Sequence, residues 1–398
     1  MKRLAYIFCS VLIIGSINCS QKGQQTPETE VIDGVTHIHN PSRPRNPEKS
    51  VFLEEDLSIG GTEGEDSSSK LFQPVRMAVH ESGTMYIIDR KDWNIKVFSP
   101  QGDFIKSFGK TGQGPGEFLF ITEMEFMEDG RLLVLDPALR RFSFFSTEGE
   151  YFESFQSRDR FTRLLYTTEN SFLTDVFIRV ESEDVSQSRI LEIKEYDLKG
   201  SEIRSMKGFK PPAIKVLREG DQFISTEIPY TSQSIFTGDN TRKRLYHCLN
   251  DKYVIEVYDR KGILIQKIDR AYDPMPYTKE EADTFKGEIL ENPNNPLAPR
   301  LAEEISLPKV KSVTQWMKID DRGSLWVQTF EKRMEDGIAL TAYDIFDPEG
   351  FFDARIWLKY SDEMFGARFK NGYLHILESD PETGLTSFKR YKIIWDSD

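Results

Sequence analysis

From Pro74 onward the chain alternates short apolar runs with turns that carry Gly. The clearest stretch reads PVRMAVHESGTMYIIDRKDWNIKVFSPQGDFIKSFG, from Pro74 to Gly109. Its apolar runs are too short for helices and rich in β-branched and aromatic residues, so they predict strands. The gaps between them hold Gly, Ser, Asp or Asn and predict tight turns. A second copy runs from Phe120 to Phe155 and contains MEDGRLLVLD and FSFFSTEGEYFESF. Each copy is strand, Gly turn, strand ending on Asp, loop, strand, Gly turn, strand.

Two series of turns carry the pattern further. The first falls at Gly83, Gly130, Asn170, Gly220, Gly323 and Gly372, evenly spaced except between Gly220 and Gly323. The second falls at Gly102, Gly149, Gly200, Gly262 and Gly350. Four strands repeated about every 40–50 residues is the pattern of a β-propeller, each copy being one blade. Six first turns predict six blades. The five second turns leave one blade short, and the chain ends just after a third strand, FKRYKIIW. An open ring would expose a strand edge. The unassigned strand SVFLEEDLSIG, starting at Ser50, predicts the closure: Val51 to Ser58 supply the outer strand of the last blade.

The long gap predicts an insertion. From Tyr277 to Pro308 the strand pattern stops. Thr278 followed by Glu281 forms a capping box that starts a helix. Asn292 to Pro296 ends it, and a second short helix is expected over Arg300 to Ile305. The Ser-, Thr- and Asn-rich stretch between Pro229 and Asn250 reads as a smaller insertion in the fourth blade. The expected fold is therefore all-β: a six-bladed β-propeller of four-stranded blades over residues 50–398, closed by an N-terminal strand, with a helical insert at 277–308.

Composition agrees with a ring having a large core: 28 Phe among 398 residues, and a mean hydropathy of −0.49, too low for an integral membrane bundle. The N-terminus, MKRLAYIFCSVLIIGSINCS, has Lys2 and Arg3 before an apolar stretch too short to span a bilayer. The approach to Cys19 resembles the lipobox of bacterial lipoproteins, with Asn18 and Ser16 as departures from its usual residues. Residues 1–18 are thus expected to be a signal peptide and Cys19 a lipidation site. Ordinary secretory cleavage is the alternative, and both imply export. Residues 19–49 are rich in Pro, Gln and Thr and read as a tether, with a short strand around Val35 to Ile38. Cys248 is expected to be buried. A formal charge of −13, with no basic stripe, argues against nucleic-acid partners.

Pro74 to Gly109 resembles the NHL repeat, through Pro74, MAV at Met77, Gly83, MYIID ending at Asp89, Asn94 and IKVF before Gly102. The linker GKTGQGPGEF, from Gly109 to Phe118, is similar to NHL linkers as well. The whole chain resembles exported six-bladed propellers of bacteria, sharply only in its first two blades. That resemblance implies a fold and an exported location; NHL propellers mostly bind partners, and a few relatives are lyases or lactonases.

The candidate ligand- or partner-binding residues are Arg90, Lys91, Asp92, Trp93 and Asn94, in the loop between the second and third strands of blade one, and Arg140 and Arg141 in the matching loop of blade two. Charged groups around an exposed Trp suit a sugar ring or a protein hot spot, although Trp93 can equally pack between blades. Gly112 to Gly116 lacks the Lys-Ser/Thr and the helix of a phosphate loop and reads as an inter-blade turn. Asp89, Asp136 and Asp175 close second strands as turn-formers, with a ring of carboxylates at the channel mouth as the functional alternative. His37 and His39, with Asp33, could begin a metal site, but the other histidines are scattered, so neither metal nor cofactor is expected. No nucleophile elbow or zinc motif occurs. The favoured reading is an envelope-anchored module binding a protein or carbohydrate partner, attached to the membrane by its lipid. The alternative is a metal-assisted hydrolase or lyase of the lactonase type, acting at the axis.

Overall fold

The computed structural model describes residues 26–60, 70–179, 189–291, 295–360, 364 and 366–396. The expected signal peptide, Cys19 and the first part of the tether lie outside the described residues. The chain opens with a hairpin, β1 (Glu28–Ile32) and β2 (Val35–Asn40), and a long strand, β3 (Val51–Gly60). Blade one is β4 (Pro74–Val79), β5 (Met85–Asp89), β6 (Asn94–Phe98) and β7 (Phe104–Phe108). Blade two is β8 (Glu123–Phe126), β9 (Leu132–Asp136), β10 (Arg141–Phe145) and β11 (Tyr151–Gln156). Blade three is β12 (Arg160–Thr167), β13 (Ser171–Arg179), β14 (Arg189–Asp197) and β15 (Glu202–Phe209). A separate hairpin, β16 (Ile214–Glu219) and β17 (Gln222–Glu227), precedes blade four, which is β18 (Ser234–Asp239), β19 (Arg244–Leu249), β20 (Val254–Tyr258) and β21 (Leu264–Arg270). Helices α1 (Lys279–Leu290) and α2 (Ala298–Glu304) follow. Blade five is β22 (Trp316–Ile319), β23 (Leu325–Glu335), β24 (Ile338–Phe346) and β25 (Phe352–Leu358). Blade six is β26 (Arg368–Lys370), β27 (Tyr373–Ser379) and β28 (Thr386–Trp395), completed by β3.

The expected closure is present. β3 pairs antiparallel with β28 from Ser387–Gly60 to Trp395–Val51. Each blade packs both faces against a neighbour, so the middle strands are buried throughout: β5, β9 and β10 are buried at every residue. Outer strands, half in solvent, alternate instead, as β7 does over FIKSF. Among the described residues, six buried clusters sit at blade–blade contacts. Phe142 stacks on Phe155, Phe161 and Phe172 between blades two and three, for example.

The same contact explains the second series of turns. Gly149 (φ +79°) joins the outer strands of blade two, and a Cβ there would lie 2.5 Å from the ring of Phe108 on the outer strand of blade one. Gly102 is in the corresponding position against Leu57 of β3, at 2.7 Å. The closing strand thus makes the contact that an outer strand makes elsewhere in the ring.

Two expectations are corrected. Gly220 belongs to no blade: it turns the β16–β17 hairpin between blades three and four. Residues 229–250 are not an insertion, because they contain β18 and β19, the first two strands of blade four. The first turn of that blade lacks Gly. The Asp239 carboxylate accepts from the amides of Thr241 and Arg242 (2.8 and 2.9 Å), and Lys243 takes φ +53°. An Asx turn stands where blades one, two, five and six have a glycine.

The insert at 277–308 is helical as expected, with the Thr278–Glu281 capping box formed. It leaves and re-enters the ring through a bridge between Pro276 and Val310. The N-terminal segment is laid along the ring. β2 adds parallel to β21 outside blade four, and the amides of Arg45 and Asn46 donate to Phe352 and Asp353 of blade five.

Candidate functional site

Antiparallel pairing puts the inter-blade linkers and the turns between second and third strands on one face, here the linker face. The candidate loops of blades one and two lie there, but their side chains serve several purposes. Trp93 (φ +48°) is half-buried, its ring 5.3 Å from Phe120 of blade two, so it packs between blades. Lys91 lies 3.6 Å over the Phe72 ring. The Asp92 carbonyl accepts from Thr111, and the Asn94 side-chain oxygen is buried with no partner among the described residues. Arg90 and Arg140 are exposed.

Arg141 is not at the surface. Its guanidinium is buried and donates to the carbonyls of Gln113 (3.0 Å), Gly114 (3.1 Å) and Glu117. These acceptors belong to the Gly-rich linker between blades one and two, an inter-blade turn as expected. Glu117 fills that loop itself, accepting from the Gly114 amide at 2.8 Å, a bond that lowers its pKa. Arg141 is therefore a clasp for the linker, and the charge signal that singled it out reported backbone carbonyls in need of donors. Arg141→Ala is expected to destabilise the ring by about 2 kcal/mol, since it strands buried acceptors. An unchanged melting temperature would rule out the clasp.

The strand-end aspartates also face backbone. Asp89 accepts from the amides of Phe72 and Gln73 (2.8 and 3.1 Å), and Asp136 from those of Leu119 and Phe120 (2.7 and 3.2 Å). Each pins the linker entering its own blade. Asp175 ends no strand: β13 runs on to Arg179, and from its middle Asp175 takes Arg163, through both its amide and its guanidinium. These three carboxylates therefore form no ring at the channel mouth. His39 of β2 places Nδ1 2.6 Å from Asp269 and Nε2 3.2 Å from Glu30, and its pKa is raised, chiefly by Glu30. Asp33 turns the hairpin at φ +50°. Among the described residues no group of three His, Cys, Asp or Glu could hold a metal. Cys248 is buried at the contact between blades four and five, and burial pushes its thiol up to about 12.

The channel residues escape sequence reasoning because they come from five separate blades. The inner strands β4, β8, β12, β18 and β22 are neighbours around the axis, and β26 closes on β4. They bring Arg76, Glu123 and Glu125, Arg163, Lys318 and Arg368 together. Arg368 Nη2 lies 2.9 Å from Glu123, its Nε 3.9 Å from Glu125, and Arg76 Nε 3.6 Å from Glu123. Among the described residues Lys318 has neither a side-chain hydrogen bond nor an ion pair. Part of its surface stays open to the channel while protein surrounds it. That burial, with Arg368, Arg163 and Arg76 nearby, lowers its pKa to about 7. Burial raises Glu125.

On the linker face the ring is built up unevenly. β13, β14, β23 and β24 run 9 to 11 residues, against 5 for β5, β6, β9 and β10. Between blades three and five, the β16–β17 hairpin and helices α1 and α2 close over a core of their own, made by Leu217, Ile289, Leu297, Leu301 and Ile305. Lys215 meets Glu304 at 3.3 Å, and Asn295 donates to the Phe223 carbonyl at 3.0 Å. Beside this cap, Tyr230 packs edge-on against Tyr277 (5.1 Å) and Phe330 (4.8 Å), all three half-buried.

This ring is a six-bladed β-propeller by strand count, pairing and closure. Residues 65–250 match the family described as a 6-bladed beta-propeller, DUF5128. A member of the DUF4221 family from Bacteroides vulgatus has a similar fold, with a TM-score of 0.50 and 11% identity over 86% of this chain and 98% of that one. A candidate exported protein of Bacteroides fragilis gives a TM-score of 0.48 at 10% identity, over 90% of this chain and 99% of that one. Virginiamycin B lyase from Staphylococcus aureus gives 0.42 at 11%, over 86% and 100%. No curated protein sequence matches significantly. Among the described residues, no helix is long and apolar enough to cross a membrane.

Proposed function

We propose that the protein is an exported, lipid-anchored propeller that recognises a protein or carbohydrate of the cell envelope through its linker face. The observation that carries this reading is the cap. The β16–β17 hairpin, α1 and α2 add no strand to any blade, yet they bury a separate core on one side of that face. A ring needs none of this to close. Phe223 on the cap is 66% exposed, and the Tyr230–Tyr277–Phe330 cluster offers partly open aromatic faces, with Lys311 5.4 Å from the Tyr230 ring. Such groups suit a sugar ring or an apolar protein anchor. Export and anchoring rest on the N-terminal sequence up to Cys19.

The metal-assisted alternative has less support. Arg76, Arg163, Lys318 and Arg368 make the axis repel a divalent cation. The ring histidines are held apart: His80 on Ser82, His247 on Ser234 and Glu256, His375 on the Arg368 carbonyl.

Cross-linking of the tagged full-length protein in its native envelope tests the proposal. A single abundant partner is expected, together with release from the membrane fraction by Cys19→Ser. Combined Phe223→Ser and Tyr277→Ser should weaken that partner's binding by about 30-fold, the loss of one hot spot. Full affinity in a normally melting double variant would exclude the capped side of the face.

A further inference from the structure

The axial residues form a site that the recognition surface does not use. Five cations line this channel, namely Arg76 from blade one, Arg163 from blade three, Lys318 from blade five, and Arg368 and Lys370 from blade six. Three carboxylates face them: Glu123 and Glu125 from blade two, and Asp175 behind Arg163. The excess is positive inside a chain whose net charge is −13. Asp175 binds Arg163 at 2.8 Å, and Glu123 accepts from Arg368 at 2.9 Å while facing Arg76 at 3.6 Å. The carboxylates of the site are therefore committed to guanidinium groups, and among the described residues Lys318 is left without one. An enclosed ammonium among like charges is unfavourable until an anion joins it.

We infer that the axis binds the oxyanionic group, carboxylate or phosphate, of a small ligand, with Lys318 as its principal donor and the guanidinium groups of Arg76, Arg163 and Arg368 around it. Arg368 and Glu123 begin their strands, which places them at the linker-face end of the channel. Lys318 stands one turn of the pleat deeper, in the third position of β22. An oxyanion entering from that face meets the guanidinium first and the ammonium second.

Binding is linked to protonation. In the free protein Lys318 titrates near 7. A bound anion favours the ammonium and raises that value, so the stabilising contact is complete below the free pKa. It weakens as pH rises through it. Between pH 6 and pH 8 the affinity should fall about tenfold, because the ligand must then recruit the missing proton.

Calorimetric titration of the full-length protein with inorganic phosphate and with acetate, at constant chloride, tests the site. The pH comparison is made with acetate and with sulfate, whose charges are fixed between pH 6 and pH 8, because phosphate takes its second charge within that range. Binding by at least one probe is expected, tenfold weaker at pH 8 than at pH 6 and retained in Lys318→Arg. Lys318→Met should weaken it tenfold or more with no loss of melting temperature, since the variant removes an unpaired buried charge. Phosphate without acetate identifies a phosphoryl ligand, and acetate identifies a carboxylate. Failure of both probes at ~10 mM, equal affinity in Lys318→Met, or affinity independent of pH would each overturn the assignment. None of these outcomes depends on the envelope partner.

Discussion

Removal of residues 51–60 is expected to abolish the cooperative unfolding transition. β3 is the outer strand of blade six, and its loss would expose the edge of β28 from Ser387 to Trp395. It would also remove Ile59 and Leu57 from the contact between blades six and one, and Val51 and Leu53 from the contact between blades five and six. Two of the six inter-blade cores are damaged at once. The Gly102 turn would lose Leu57, the side chain against which it is built. A ring has no independent half to fall back on, and an exposed edge recruits other chains. Far-UV circular dichroism on heating should show a broad, featureless loss, with aggregation that rises with concentration. Removing β1 instead, exposed at every residue, should leave a sharp transition. A sharp transition in the 51–60 deletion would contradict the closure.

Gly238→Val should prevent folding, and Gly238→Ala should cost about 4 kcal/mol or more, a large part of the 5–15 kcal/mol that holds a domain together. The backbone of Gly238 is not in the left-handed region, so conformation is no obstacle. Space is. A Cβ at this position would lie 1.8 Å from the Leu165 carbonyl oxygen and 2.4 Å from its carbon. Both are backbone atoms of β12, so relief would require moving the inner strand of blade three. That seam is tied at its end: Asn240 accepts from the Thr167 amide and Lys243 donates to the Thr167 carbonyl, each at 2.8 Å. Gly287→Ala in α1, where nothing lies within 4 Å, should instead stabilise by about 0.5–1 kcal/mol. Thermal melting of the three variants decides the matter, and a Gly238→Ala protein melting like the wild type would falsify the seam.

Gly238 also shows where sequence reading stops. Its conformation is ordinary, so nothing local distinguishes it from any strand glycine; the reason for it is the carbonyl of Leu165, in another blade. The same holds for Lys318. The charges around it come from strands whose order in the chain says nothing of their convergence, whereas Arg90 and Trp93 stand together in one loop and Arg140 and Arg141 in the matching loop of the next blade. Arg141 shows the limit of such proximity, because charged neighbours in sequence concealed a guanidinium buried on backbone carbonyls. Blade four misleads in the sequence for a related reason. Asp239 performs with a carboxylate what Gly performs in the first turns of blades one, two, five and six, and Gly220, in an unrelated hairpin, is a false anchor.

The sequence by itself determined the ring: the repeated strands, six blades, the closing strand at Val51 and the helix begun by Thr278 and Glu281. These depend on short-range periodicity and turn chemistry, which each segment carries within itself. Only the tertiary structure decided which turns belong to blades, that the hairpin and helices share a core on one face, that Arg141 holds a linker, and that Lys318 stands among guanidinium groups on the axis. Those are contacts between segments distant in the chain, and their geometry exists only once the ring has closed.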